Sequence, residues 1–510
     1  MVLLAILVAC GTTHGRPALE YIVGSTIACC DRNSTEDMIL PDPVGDEYEN
    51  ITLGGGYLNE GPFSKNDYEK VLKLSWFFLD AQRSGKIPDD GSYQVHWRKS
   101  SHLDDVVPGG WYDAGDYLKL NFPLAYSAAM LSWGIQEFAD GYVSAGIYDS
   151  AKDSLKVAVK YLMECHIKKE SYVGQIGHPD IDHDYWGRAD EQTGPRPYFV
   201  WSEGMKGADL FSKVSAALAA ASILYREDDE KFASDLLDHS MELYDMAKKS
   251  PGLYSSHFKS ATKIYKSSDW IDDMAWAAAW LFKATSDRSY MKDSVNYWTR
   301  RYWDVTASWD NLGAPTAVLL YKLHYEGEDV PNFSSIKAYV ENRFVKAWVR
   351  SNGFEDIVKT PKGMSMPSWS DWGNLQLSTA SGFLALVCAK HSHSSSLSKS
   401  ARKWAQSQVD YALGDSGRSY VVGFGKRYPK YPHHAGASCP PKPHPCDWSV
   451  FESKKPNANI LYGALVGGPS GPSDSSYKDS RDDYVTNEVA VDYNAAFSGA
   501  LAGLIELFDN

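Results

Sequence analysis

The chain has 510 residues, of which 44% are hydrophobic and 23% are charged, and its formal net charge is −14. This composition is typical of a globular protein, and the acidity argues against nucleic-acid binding, which needs clustered lysine and arginine. The 17 Trp and 32 Tyr residues fit either a large aromatic core or an aromatic-lined groove.

Residues 1–15 predict a signal peptide, because the apolar run from Val2 to Ala9 is followed by small and polar residues and is too short to span a membrane. Residues 7–10 also resemble a bacterial lipoprotein cleavage box, so that alternative stays open. The sequence predicts an irregular segment over 16–55, a single domain over 56–510, no membrane-spanning stretch, and secretion to the extracellular space. Three N-x-S/T sequons favour a eukaryotic secreted protein; they begin at Asn33, Asn50 and Asn332.

Two pairs of cysteines differ in their surroundings. Cys439 and Cys446 bracket a proline-rich loop, which predicts a short disulfide if the compartment is oxidising. Cys165 and Cys388 stand in apolar helical contexts, which predicts buried thiols.

Helical periodicity dominates from about residue 57 onward. Twelve segments begin near residues 65, 118, 150, 207, 231, 270, 288, 312, 334, 374, 398 and 493, and the clearest strand signal covers 419–425. Because long loops fall at alternate junctions, the pattern predicts six helical hairpins closed into a ring, an all-α (α/α)6 toroid with its last helix beside the first. Small residues would let the inner helices pack closely; they are Ala216, Ala217, Ala219, Ala220 and Ala221.

The stretch GGWYDAGD, residues 109–116, places Asp113 and Asp116 three positions apart. A helical turn would bring both carboxylates to one side, where they can hold a water and one of them can take its proton. Capping of the following helix would explain one aspartate, but it would not explain the two aromatic residues and the glycine run.

A second acidic stretch, residues 477–497, contains Asp479 and Glu488 and leads into an apolar helix. Partial burial of Glu488 at that helix start would raise its pKa and keep it protonated, as a general acid requires. An acid and a base on opposite walls of a cleft are the plan of glycoside hydrolysis, with inversion where the separation leaves room for water. His433 and His434 follow a proline-rich turn, where metal binding and hydrogen bonding to sugar hydroxyls both stay open.

These stretches resemble glycoside hydrolase family 9, the inverting cellulases. The spacing Tyr477-x-Asp479-x4-Tyr484-x3-Glu488-x-Ala490-x3-Asn494-Ala495 is similar to the acid signature of that family at every fixed position. Further similar landmarks are AQRSGKIP (81–88), GGWYDAGD (109–116), DHDYWGRADE (182–191), WAAAWLFKATSD (276–287), SWDN (308–311) and ILYGALVGGP (460–469).

The resemblance implies an endo-β-1,4-glucanase that acts on a β-glucan and needs no cofactor for its chemistry. A monomer is the default expectation, since the sequence carries no signal for an oligomer. It implies that Asp116 is the general base, that Asp113 positions the attacking water and that Glu488 is the general acid. It further implies that Asp479 supports the site and that His433 contacts the sugar. The substrate-binding residues that it implies, with core packing as the alternative for each Trp, are Tyr112, His183, Trp186, Trp309, Trp372, His434 and Tyr484. It also implies a structural calcium ion, with hard oxygen ligands from Ser268, Asp272, Asp273 and Asp310.

Several positions around the expected cleft depart from the family pattern. Ala435 and Gln376 stand where the family usually has arginine. Tyr117 stands where it usually has His or Asn, and Lys99 or Ser100 replaces an acidic residue. Three interpretations therefore remain: a working endoglucanase with altered subsites, a hydrolase of another β-glucan, or a weakly active glycan-binding relative. RDDYVTNE (481–488) also faintly resembles the magnesium-binding acidic run of helical terpene cyclases. Its setting in a polar loop argues against that alternative.

Overall fold

The protein is described from a computed structural model, which covers residues 61–509. The predicted signal peptide (1–15), the predicted irregular segment (16–55) and the sequons at Asn33 and Asn50 lie outside the described residues. The described residues all belong to one compact unit.

Twelve long helices appear within two or three residues of where the periodicity predicts them. They are α1 Lys65–Ala81, α2 Asn121–Glu137, α3 Tyr148–Glu164, α4 Ala208–Tyr225, α5 Glu230–Lys249, α6 Ile271–Thr285, α7 Arg288–Trp298, α8 Gly313–Tyr325, α9, α10 Asn374–His391, α11 Ser395–Leu413 and α12 Val491–Asp509. Helix α9 runs continuously through Phe333–Ala338, a π-helical part at Tyr339–Val345 and Lys346–Arg350. Short helical turns at Ala139–Ser144, Pro179–Asp182, Ala435–Ser438 and Trp448–Glu452 join them.

The even-numbered helices form a closed inner ring. Each of α2, α4, α6, α8 and α10 packs against the next even-numbered helix, and α12 packs back against α2. The inner helices are buried along almost their whole length, whereas the odd-numbered outer helices bury one face. This is the (α/α)6 toroid that the sequence predicts.

Small residues allow the inner helices to approach closely. All six alanines of α4, which include the five named above, are completely buried. At the α2–α12 contact, a Cβ on Gly134 would lie 3.0 Å from the Cα of Gly499, so this pair of glycines lets the ring close. Among the described residues, α4 is the single helix long and apolar enough to cross a membrane by length and composition, and 94% of it is buried inside the protein.

The strands lie elsewhere than the sequence predicts. A three-stranded antiparallel sheet joins β1 Lys119–Leu120, β2 Ser171–Ile176 and β3 Tyr198–Ser202, and a hairpin joins β4 Ile357–Lys359 to β5 Ser365–Pro367. The predicted strand over 419–425 is wrong. That stretch forms turns with one isolated bridge from Val421 to Leu465, because Gly423 and Gly425 adopt φ of 78° and 70°, outside the extended region.

The cysteine predictions are confirmed. Cys439 and Cys446 form a disulfide, and Cys165 and Cys388 are free buried thiols.

Candidate active site

Three stretches that are far apart in sequence run side by side at one end of the ring. The amide of Ala435 donates to the Gly115 carbonyl at 2.8 Å, and the amide of His433 donates to the Asn487 carbonyl at 2.9 Å. The amide of Val491 closes the set by donating to the Asp113 carbonyl at 2.9 Å. The backbone therefore brings the GGWYDAGD loop, the histidine pair and the segment of Glu488 together.

Gly115 is needed for this close approach. A Cβ at this position would lie 2.1 Å from the His433 carbonyl oxygen, well inside any tolerable contact. The glycine therefore lets the loop that carries Asp113 and Asp116 lie directly against the histidine segment.

Asp116 is held by hydrogen bonds to both of its carboxylate oxygens. Its Oδ1 accepts from the Leu118 amide at 3.1 Å, and its Oδ2 lies 2.9 Å from Nε2 of His183. Burial alone would lower the pKa of His183, but the hydrogen bond and charge of Asp116 raise it above its ordinary value. The Asp116 side chain is 22% exposed, so it is oriented and still open to solvent.

Asp182 holds the backbone and a side chain next to the Asp116–His183 pair. Its Oδ2 accepts from the Tyr117 amide and its Oδ1 accepts from Gln192 Nε2, each at 3.0 Å. Burial, together with the charge of Asp116, raises the pKa of Asp182 to about 6. Because both of its carboxylate oxygens accept hydrogen bonds from within the protein, one of them from the residue after Asp116, Asp182 is a positioning residue.

Asp113 is buried and faces other acidic groups. Its Oδ2 accepts from the Tyr265 hydroxyl at 2.8 Å. Burial and then the nearby charges of Asp492 and Asp116 raise its pKa well above the ordinary range. Tyr265 therefore orients a carboxyl group that is easily protonated.

Glu488 has the environment that the sequence predicts for an acid. Burial and then the charge of Asp116 raise its pKa well above its ordinary value. Nε1 of Trp372 donates to Oε2 of Glu488 at 3.2 Å, which favours the charged form and opposes part of that rise. The effect of the Asp116 charge on the pKa of Glu488 indicates that the two carboxyl groups lie in one site.

His433 is fixed in one orientation. Its Nδ1 donates to the Arg481 carbonyl at 2.6 Å, and burial lowers its pKa. A neutral ring that is protonated at Nδ1 keeps Nε2 as a hydrogen-bond acceptor.

Aromatic side chains surround His433 and Glu488. The Tyr484 ring lies 5.8 Å from Trp372 and 6.1 Å from His433. Trp186 packs edge-on against His433 at 5.4 Å and donates to Ser438 Oγ. Trp309 packs against Tyr265 at 4.8 Å. Trp309, Trp372 and Tyr484 keep partly exposed faces, whereas Trp186 is 7% exposed.

Two residues predicted to bind substrate are turned into the protein. His434 is 1% exposed, because its Nδ1 accepts from the Ala437 amide and its Nε2 donates to Oε1 of Gln82. Tyr112 is also 1% exposed, and its hydroxyl bonds to His102 and Ser101. We correct both assignments to structural roles, since their polar atoms are already used inside the fold.

Asp479 accepts hydrogen bonds mainly from backbone amides. Its carboxylate accepts from the amides of Lys430 and Tyr431 at 3.0 to 3.1 Å and from Asn487 Nδ2 at 3.3 Å. It therefore ties the turn before the histidines to the residue before Glu488. This geometry fits a supporting residue and places Asp479 among the positioning groups.

The sequence motifs do not identify Asp492, which lies in the first turn of α12 and is 1% exposed. Burial raises its pKa to about 7, and its charge raises the pKa of both Asp113 and Glu488. Its position five residues after Asn487 and four after Glu488 was visible, but it reads as part of the apolar helix. Tyr265 was missed because nothing in its polar segment marks it.

Two clusters in the described residues have metal-ligand composition. Ligand atoms of Asp116, Asp182 and His183 lie within 4.8 Å of one another, as do those of the trio His166, His239 and Glu242. In the first cluster the hydrogen bonds already described use these atoms to orient the Asp116 carboxylate.

The carboxylates expected to bind calcium are close together, but a lysine already lies among them. Nζ of Lys213 is 2.7 Å from Oδ1 of Asp273. The Asp310 carboxylate accepts from the Ser268 amide, and the Asp272 carboxylate accepts from the Leu312 amide, both at 2.8 Å. A buried ammonium group repels a divalent cation at this point, so the arrangement does not fit the expected calcium site.

Comparison with known proteins agrees with the fold and the motifs. A family model described as glycosyl hydrolase family 9 matches residues 68–501. The chain belongs to this family. Endoglucanase A of Bacillus pumilus is 36% identical over 458 residues, which cover 87% of this chain and 67% of that protein.

Solved structures of family 9 enzymes show the same toroid. The endoglucanase of the termite Nasutitermes takasagoensis, at pH 2.5, has 40% identity and a TM-score of 0.80, over 87% of this chain and 99% of that one. Endoglucanase CelQ of Clostridium thermocellum, complexed with cellobiose and cellotriose, has 34% identity and a TM-score of 0.74, over 86% and 70% of the two chains. The protein is thus a family 9 glycoside hydrolase.

Proposed function

We propose that the protein is a secreted endo-β-1,4-glucanase that hydrolyses internal bonds of cellulose-type glucans with inversion. The observation that carries the proposal is the contrast between two carboxyl groups in one site. Glu488 is half-buried and has a strongly raised pKa, whereas Asp116, which is also half-buried, is hydrogen-bonded to His183 and to the Leu118 amide. Such a contrast assigns one group as acid and the other as base. The relatives named endoglucanase, and the cello-oligosaccharides bound in CelQ, support this substrate class.

In this mechanism Glu488 donates its proton to the glycosidic oxygen as the bond to the anomeric carbon breaks. Asp116 removes a proton from the water that attacks the opposite face of the sugar ring. Asp113, oriented by Tyr265, holds that water in line. A single displacement of this kind leaves the product in the α configuration.

The surrounding groups supply binding. The partly exposed faces of Trp372, Tyr484 and Trp309 provide flat apolar surfaces for sugar rings. Nε2 of His433 accepts from a sugar hydroxyl, because Nδ1 is committed to the Arg481 carbonyl. These roles favour glucan chains whose rings lie flat along the site.

Two of the departures from the family pattern bear on the alternatives. Ala435 is 2% exposed and uses its amide to hold Gly115. Gln376 is 4% exposed, and its Nε2 lies 3.3 Å from the Tyr126 hydroxyl. Neither side chain replaces a charged donor to the sugar. A different β-glucan or weak activity therefore remains the competing hypothesis, while the intact acid and base favour a working enzyme.

Secretion and a monomeric state are part of the proposal. The disulfide between Cys439 and Cys446 fits an oxidising compartment. Asn332, within the one sequon among the described residues, is exposed, as glycosylation requires.

Viscosity loss and reducing-end release on carboxymethyl-cellulose test the activity. The wild type is compared with Glu488→Gln and with Glu227→Gln, which alters an exposed glutamate between α4 and α5. We expect rapid viscosity loss that falls by about 10³-fold in Glu488→Gln and is unchanged in Glu227→Gln. Equal activity in wild type and Glu488→Gln would refute the assignment of the acid.

Two further readouts separate the alternatives. Proton NMR of the first product from cellopentaose should show the α anomer, and a β anomer would contradict inversion. Hydrolysis of lichenan or glucomannan in preference to carboxymethyl-cellulose would favour another β-glucan. Binding to these polymers without hydrolysis would favour the glycan-binding alternative.

A further inference from the structure

Four aspartates meet where three inner helices begin. Asp209 lies in the first turn of α4, Asp272 and Asp273 lie in the first turn of α6, and Asp310 precedes α8. The first three are at most 2% exposed. Buried carboxylates need a compensating cation or several fixed donors, since desolvation of a bare charge is very costly.

Lys213 provides the cation. It lies one turn after Asp209 on α4, and its side chain is 1% exposed. Its Nζ lies 2.7 Å from Asp273 Oδ1, donates to the Trp309 carbonyl and sits 4.0 Å from the centre of the Phe122 ring. The ammonium is thus surrounded by a carboxylate, a carbonyl oxygen and an aromatic face, which together satisfy a buried lysine.

Backbone amides serve the other carboxylates. Asp209 accepts from the Tyr254 amide, Asp272 from the Leu312 amide and Asp310 from the Ser268 amide, each at 2.8 Å. These bonds join α4, α6 and the segment before α8 into one polar cluster. Among the described residues of this cluster, Asp272 Oδ1 and Asp273 Oδ1 have no hydrogen-bond partner; Asp273 Oδ1 is paired with the Lys213 ammonium at 2.7 Å, and the charge of the same lysine acts on Asp272.

We propose that the Lys213 ammonium takes the place of a structural divalent cation in this chain. Calcium needs six to eight oxygen ligands at about 2.3–2.6 Å. Here the Asp273 carboxylate is already paired with Lys213, and a second cation beside Nζ would be repelled. Loss of the lysine charge would free Asp273 and leave it next to Asp272 Oδ1, which together with Asp310 recreates an oxygen-rich cation site.

The same lysine connects the cluster to the active site. Its bond to the Trp309 carbonyl fixes the tryptophan that packs on Tyr265, and Tyr265 donates to Asp113. An internal cation therefore makes this connection independent of calcium in the surroundings, so that chelators leave the fold intact.

Thermal unfolding of the purified full chain tests the proposal without measuring activity. Samples are dialysed against EGTA or against millimolar CaCl₂, and bound calcium is counted by elemental analysis. We expect the same Tm in both and no stoichiometric calcium. One calcium ion per chain, or a fall in Tm on chelation, would overturn the proposal whatever the variants do.

Lys213→Gln gives the complementary result. We expect this variant to have a lower Tm in EGTA and to regain several degrees on addition of calcium. Lys322→Gln is the matched control, because Lys322 forms another buried ion pair, 3.1 Å from Glu137, in which calcium has no role. A Lys213→Gln variant that is as insensitive to calcium as Lys322→Gln would also count against the proposal, and if it does not fold the wild-type result decides.

Discussion

Nε2 of His183 lies 2.9 Å from Oδ2 of Asp116, so the proposed base is hydrogen-bonded to an imidazole. Burial works against a charged histidine, yet the hydrogen bond and charge of Asp116 raise the pKa of His183. When His183 is protonated, the two groups form an imidazolium–carboxylate pair. This pair fixes the direction of Asp116, while the Leu118 amide holds its other oxygen.

Replacement of His183 should therefore show in both rate and pH dependence. We expect His183→Gln to lower kcat by about tenfold or more, because Asp116 loses its orientation. Since the folded-state pKa of His183 is raised, its stabilising contribution is full below the unfolded pKa of about 6.5. That contribution is lost as pH rises through the folded pKa.

Urea unfolding at pH 5 and pH 9 measures this effect. The free energy of unfolding of His183→Gln should fall below that of wild type by more at pH 5 than at pH 9. His96→Gln, which changes an exposed histidine, should show the same difference from wild type at both pH values. A deficit in His183→Gln that is larger at pH 9 would contradict the ion pair.

The hydrogen bond from Trp372 to Glu488 predicts a change in the pH dependence of activity as well as in its magnitude. Its indole N–H favours the carboxylate form of Glu488, so it lowers the pKa of that group. Trp372→Phe keeps an aromatic face and removes the donor. We expect the alkaline limb of kcat/KM, which reports loss of the proton from the acid, to move to higher pH.

The measurement is a pH–rate profile on a soluble cello-oligosaccharide. The absolute kcat/KM of Trp372→Phe should also fall, because the smaller ring covers less sugar. Trp309→Phe serves as the control, since it changes an aromatic wall that contacts Tyr265 and not Glu488. A limb that moves equally in both variants would show that the indole N–H has no specific role.

The contact between Gly115 and His433 predicts a strict requirement for glycine. A Cβ would lie 2.1 Å from a backbone oxygen, and backbone cannot move aside as a side-chain tip can. We expect Gly115→Ala to cost about 3 kcal/mol or more in unfolding free energy and to abolish activity. Gly194→Ala, at a position with open space around it, should leave both unchanged, and a stable, active Gly115→Ala would contradict the close approach.

The sequence predicted the periodic parts of this molecule well. Twelve helices follow from apolar spacing, and the ring follows from alternate long loops, because both are local patterns. The short strands were not found, since β1 has two residues and the burial of β2 follows its contacts with β3. The false strand over 419–425 shows that apolar residues do not overrule glycines with positive φ.

The residues of the candidate site likewise fall into those that local sequence predicts and those that it does not. Asp113, Asp116 and Glu488 lie in distinctive motifs, whereas Tyr265, Asp492 and Lys213 gain their roles from contacts across the ring. Adjacent histidines illustrate the limit: His433 lies beside Glu488, and His434 points to Gln82. An extended backbone turns neighbouring side chains to opposite faces, and the sequence alone does not tell which of the two histidines faces the active site.

Asp492 gives the last prediction, because its buried charge raises the pKa of Glu488, the proposed acid. Burial raises the pKa of Asp492 to about 7, so above that pH its negative charge opposes ionisation of Glu488. Asp492→Asn removes this charge and should lower the pKa of Glu488. The alkaline limb of kcat/KM should then move to lower pH, opposite to the shift in Trp372→Phe.

The stability of this variant should change with pH as well. A buried acid with a raised pKa makes the folded state bind more protons than the unfolded state between about pH 4 and pH 7. Wild type therefore loses stability across that window through Asp492, and Asp492→Asn should not share this loss. Asp482→Asn, in an exposed acidic position, is the control for both readouts. An unchanged alkaline limb in Asp492→Asn would mean that the Asp492 carboxyl stays neutral during catalysis. The charge of Asp116 would then be the one that adds to the effect of burial in raising the pKa of Glu488.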